Sequence, residues 1–77
     1  MKWVLVKKSD GQRGAQGRSK MYEVTVQGST VLLAWGKAEE PLRVTQVRFA
    51  NDRSANAFAR EKVIIKSQKG YKILVAV

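Results

Sequence analysis

Tyr22, Val24 and Val26 alternate with Glu23, Thr25 and Gln27, the period of two that a half-buried β-strand requires. Gln27-Gly28-Ser29-Thr30 breaks the alternation, and the apolar run Val31-Leu32-Leu33-Ala34-Trp35 resumes it, which predicts an antiparallel hairpin. Neighbouring segments extend the sheet. Lys2-Trp3-Val4-Leu5-Val6-Lys7-Lys8 suits a strand with lysines blunting its ends. Gly36 to Pro41 punctuates the chain, and Leu42 to Phe49, rich in β-branched residues, predicts a fourth strand with Arg43 and Arg48 near its two ends.

After that strand the period changes. Asn51 or Asp52 can cap a helix that keeps Ala55, Phe58, Ala59 and Val63 on one side, while Ile64 falls off that stripe. The helix is expected to run to about Gln68, with Lys62, Lys66 and Lys69 at its negative dipole end and Gly70 as a left-handed cap. Tyr71 to Val77 alternates again and reads as a closing strand or an extended tail. The expected order is β-β-β-β-α-β, an α+β fold in which an antiparallel sheet packs on one helix. Residues 1–77 form one small domain, with a flexible glycine-bearing basic loop at about 9–20. Three glycines in that loop follow a G-x-x-G-x-x-G spacing with no helix behind them, which excludes a dinucleotide cradle.

Composition narrows the chemistry. A chain of 77 residues without Cys or His has no disulfide, thiol nucleophile, Cys/His zinc site or imidazole acid-base group. Of the six carboxylates, Glu39 and Glu40 alone are adjacent, and they sit in a turn beside Pro41 where they read as a solvated acidic pair. A non-enzyme without metal or cofactor is expected. The first apolar run, Trp3 to Val6, is too short for a signal-peptide core or a membrane span, so a soluble, cytoplasmic chain without a membrane partner is expected. A formal net charge of +9 favours polyanions, with nucleic acid first.

The constellation best suited to a polyanion is Ala34-Trp35-Gly36-Lys37, placed between the third and fourth predicted strands. An exposed Trp can stack on a base for about 1–3 kcal/mol, glycine lets backbone approach, and lysine meets phosphate. A Trp at a strand end more often belongs to a core than to a stacking platform, and the spacing leaves both open. Arg43 and Arg48 can track a phosphate backbone or serve as solubilising charge, and Arg13, Arg18 and Lys20 in the loop can fold onto phosphates. Tyr22 and Tyr71 read as packing residues, and Trp3 as core or edge cover.

Taken in order, the strand around Tyr22, the hairpin, Trp35-Gly36-Lys37, the strand ending at Phe49, the helix with Ala55 and Ala59, and Lys69-Gly70-Tyr71 resemble the WGR domain. The resemblance covers about Lys20 to Tyr71, roughly two-thirds of the chain. It implies a compact α+β module of the kind found in DNA-break-sensing poly(ADP-ribose) polymerases and in many bacterial proteins. It also implies that Trp35 packs against sugar and base at a DNA terminus while nearby basic residues hold phosphates. Lys37 stands where the family usually carries Arg, keeping the charge without the planar guanidinium. Ala38-Glu39-Glu40-Pro41 departs from the family's glycine-bearing continuation. The expected function is nucleic-acid binding, DNA in preference to RNA, through Trp35, Gly36, Lys37, Arg43, Arg48, Lys20 and Arg18. The alternative is a protein-protein interaction module within a larger assembly.

Overall fold

The computed structural model describes residues 1–8, 19–37 and 40–77. The elements follow the order β1 (Lys2–Lys7), β2 (Lys20–Gln27), β3 (Thr30–Lys37), β4 (Arg43–Arg48), α1 (Asp52–Gln68) and β5 (Lys72–Ala76). One five-stranded antiparallel sheet takes the strand order β4-β3-β2-β1-β5. The expected α+β architecture is the observed one, and the closing segment is a strand, paired to β1 with a register shift between Val4 and Leu5.

The hairpin turns on Gly28, whose φ of +64° is the positive value a two-residue loop closing the Gln27–Thr30 pair needs. That pair fixes the register of all of β2 against β3. β3 runs further than the sequence suggested: Gly36 and Lys37 stay in the strand because Met21 and Lys20 pair with them. At Gly36 the backbone adopts φ +150°, and a Cβ there would lie 3.3 Å from Leu42 Cδ2, so this position requires glycine.

Helix α1 begins where Asn51 Oδ1 accepts a hydrogen bond from the Ser54 N–H at 2.8 Å. It buries Ala55, Ala59 and Val63, a stripe of small side chains that lets the helix lie close to the sheet. Against it stand Leu5, Tyr22, Val24, Val26, Val31 and Leu33 from β1, β2 and β3, while Trp3, Phe49, Phe58 and Tyr71 pack around the rim. Full burial of Leu5, Val24 and Val31 contributes about 1.5–3 kcal/mol each. The helix ends in a Schellman motif: the Tyr71 N–H donates to the Lys66 carbonyl and the Gly70 N–H to the Ser67 carbonyl, both at 3.1 Å, with Gly70 at φ +100°. This closure turns Tyr71 back over the last helical turn. Among the described residues no helix is long and apolar enough to cross a membrane.

Candidate nucleic-acid interface

Residues directly opposite one another in antiparallel strands share a face. In the third row from the open end of the sheet, Leu5 faces Tyr22, Tyr22 faces Trp35 and Trp35 faces Arg43. Because Leu5 and Tyr22 are buried under α1, the whole row points to the helix side. The outer row on the same side is Lys7, Lys20 and Lys37, each opposite the next across β1, β2 and β3. Like charges placed directly opposite are destabilising, by about 0.2–1 kcal/mol per pair. The fold thus holds a row of ammonium groups beside an aromatic row.

Trp35 is 37% exposed although it continues the inward-facing series Val31, Leu33. A shallow recess of about 270 Å³ opens beside it, lined by Lys20, Tyr22, Trp35, Gly36, Lys37, Lys66 and Tyr71. Tyr22 and Tyr71 meet edge to face with ring centroids 6.2 Å apart. The Lys66 ammonium lies 4.6 Å from the Tyr22 centroid and 5.6 Å from that of Tyr71, and Lys7 approaches Tyr71 at 5.9 Å. All three distances are within cation–π range.

Charge in this corner is not neutralised by the helix alone. The C-terminus of α1 offers the equivalent of about half a negative charge, against Lys7, Lys20, Lys37, Lys66 and Lys69. Burial first, and then the charges of Lys69, Lys62 and Lys7, hold the Lys66 ammonium below the ordinary lysine range. Burial, followed by Tyr71, raises the Tyr22 phenol. Glu23 belongs to the other face of the sheet, where its Oε1 meets Lys2 Nζ at 3.6 Å.

Of the residues singled out from sequence, the structure brings together Trp35, Gly36, Lys37 and Lys20 in one recess, with Arg43 in register beside Trp35. It does not bring in Arg48. That residue pairs with Thr30 at the opposite end of β4 and alternates onto the opposite face, next to the hairpin turn. Arg13, Arg18, Ala38 and Glu39 lie outside the described residues, as does the core of the expected glycine-bearing loop. Sequence reasoning missed Lys7, Lys66, Tyr22 and Tyr71 as parts of this site. Tyr22 is a packing residue as expected, yet one edge of its ring also lines the recess.

No family model matches the chain, and no curated protein matches it. The fold is similar to that in a crystal structure of a Bacteroides fragilis protein determined by the Northeast Structural Genomics Consortium, with a TM-score of 0.82 and 23% sequence identity. The match covers 97% of this chain and 20% of that one. The chain therefore spans about a fifth of the length of this neighbour, and the likeness concerns the fold.

Proposed function

We propose that the domain is a nucleic-acid-binding module, DNA preferred, of the WGR type, and that Trp35 stacks on a terminal or unpaired base. Lys20, Lys37 and Arg43 contact the flanking phosphates, and Lys7 and Lys66 contribute to the positive field behind them. The observation that carries this reading is the exposed Trp35 ring set in register between Tyr22 and Arg43, one row in from Lys20 and Lys37. A stacking ring flanked by ammonium groups is the arrangement single-stranded and terminal nucleotides require. A core tryptophan would need neither the exposure nor the lysine row.

Gel-shift titration with blunt duplex, overhanging duplex, single strand and RNA tests the proposal. Binding of duplex or overhang at low salt, weakening steeply as salt rises, is expected. Absence of a shift with every probe at low salt contradicts it.

A second reading, a protein-interaction module, is favoured by one feature: the sheet face away from α1 exposes Val44 at 64%, and edge strand β5 exposes Leu74 at 67% and Val75 at 41%. A similar fold also occurs as one-fifth of a longer chain. The two readings use opposite faces of the sheet and are compatible.

A further inference from the structure

A positive field behind Trp35 uses the charge of Lys66 but does not account for its partly buried position. Lys20 and Lys37, which line the same recess, are exposed. Lys66 is instead half-buried: its amine lies over two phenol rings, and the residue lines the recess that Trp35 borders. Withdrawal from water and neighbouring cations are the two conditions that turn a lysine amine into a nucleophile toward carbonyl carbon. Here partial burial and the charges of Lys69, Lys62 and Lys7 hold the amine below the ordinary lysine range, against the opposing pull of the two rings on its charged form.

DNA offers a carbonyl at one kind of position. Where a base has been lost, the deoxyribose opens to an aldehyde at C1′, the carbon that carried the base. The duplex there has a gap in its stack, so a ring can enter without first unstacking a base. A ring occupying the gap lies against C1′. In this recess the side chain next to Trp35 on the sheet is Tyr22, and the amine above Tyr22 is that of Lys66.

We propose that the recess captures abasic sites in DNA, with Trp35 filling the place of the lost base and the Lys66 amine forming an imine with the C1′ aldehyde. This rests on the nucleic-acid reading above and goes further by naming the lesion and the bond. Lys66 first releases a proton to solvent. Its nitrogen lone pair then adds to C1′, a proton passes from nitrogen to the alkoxide, and the resulting carbinolamine loses water to leave the imine. No oxidant, reductant or metal enters the step, and water reverses it.

The test uses the whole chain with a short duplex holding one abasic site, in the presence of cyanoborohydride, which reduces an imine to a stable secondary amine. A duplex with a tetrahydrofuran abasic analogue, which has the gap but no aldehyde, measures binding alone. A denaturant-resistant adduct with the aldehyde duplex only, mapped by peptide mass spectrometry to Lys66, is the expected result. Lys66→Arg, which keeps the charge and cannot form the imine, is expected to lower the adduct by about tenfold or more at matched occupancy of the duplex. Peptide mapping on the unaltered chain decides the matter should that variant fold poorly. Adduct at Lys20, Lys37 or another lysine, or an undiminished adduct in Lys66→Arg, overturns the proposal. Binding of the tetrahydrofuran duplex without adduct on the aldehyde duplex also overturns it while leaving the nucleic-acid reading intact. No binding of either duplex removes both.

Discussion

Lys66 rests its ammonium 4.6 Å from the centroid of the Tyr22 ring, joining the last turn of α1 to the aromatic row of the sheet. Tyr22 faces inward because β2 alternates, and Lys66 reaches its ring because α1 crosses the sheet with its last turn over that row. The recess beside Trp35 is what remains between them.

Replacing Trp35 by Ala separates binding from folding. The side chain is 37% exposed, so nearly two-thirds of it is covered, and its removal is expected to lower stability by about 2–3 kcal/mol without unfolding the domain. Affinity for an overhanging duplex should fall by about 1–3 kcal/mol, the value of one stacked base. Chemical denaturation and a fluorescence titration on the same sample measure the two quantities.

Salt dependence identifies which cations touch phosphate. With three or four phosphates neutralised, the log-log slope of affinity against salt is expected at about −3 to −4. Lys20→Met or Lys37→Met should each reduce its magnitude by about one. Arg48→Met should leave the slope unchanged, because Arg48 sits beside the hairpin on the other face. A slope that drops with Arg48→Met would place the binding surface elsewhere.

The pH response carries two signs. With an intact duplex, which offers no aldehyde, phosphate in the recess favours the charged form of Lys66, so binding takes up a proton there at alkaline pH. Affinity should therefore begin to fall below the ordinary lysine pKa of about 10.4, and Lys66→Met should remove that early part of the fall. For folding, Lys66 has a lowered native pKa. Its penalty is present in full below the native value and fades as pH rises through the unfolded value. Tyr22 has a raised native pKa. Its contribution is intact below about pH 10 and is lost as pH climbs through the native value. Urea unfolding between about pH 8 and pH 11 should show an alkaline loss of stability that is smaller in Tyr22→Phe.

Gly70→Ala tests the helix closure. A Cβ there has room, with Lys7 Cε at 3.5 Å, so the expected loss comes from backbone strain at φ +100°. About 1–3 kcal/mol is expected, read as a lowered midpoint in thermal or urea unfolding. Duplex affinity should fall as well, because the same closure sets Tyr71 over Lys66.

The strands and the helix could be read from the sequence because each follows a single period. Val24 and Val26 fix the inward face of β2, and Ala55, Ala59 and Val63 fix that of α1. Half of the candidate site could be read too, since Trp35, Gly36 and Lys37 are contiguous. The lysine row was within reach: once Gln27 and Thr30 are paired across the turn, stepping back along both strands arrives at Lys20 opposite Lys37. Lys7 was not, because its register to Lys20 depends on pairing across the long segment between β1 and β2. The sequence marks Lys66 as a partner of the helix dipole, which it is by position. Its contact with Tyr22 depends on where the helix crosses the sheet, which no periodicity states. Arg48 illustrates the converse. It shares a strand with Arg43, but the distance along β4 and the change of face separate them.

The central claim is that the open Trp35 ring and the lysines around it meet nucleic acid as one surface. Amide and indole chemical-shift mapping during titration with a short duplex bearing an unpaired end tests it most directly. The account predicts the largest shifts at the Trp35 indole, with Lys20, Lys37, Arg43 and Tyr71 following and Trp3 and Arg48 nearly still. Shifts centred on Val44, Leu74 and Val75, or no shifts at low salt, would contradict it.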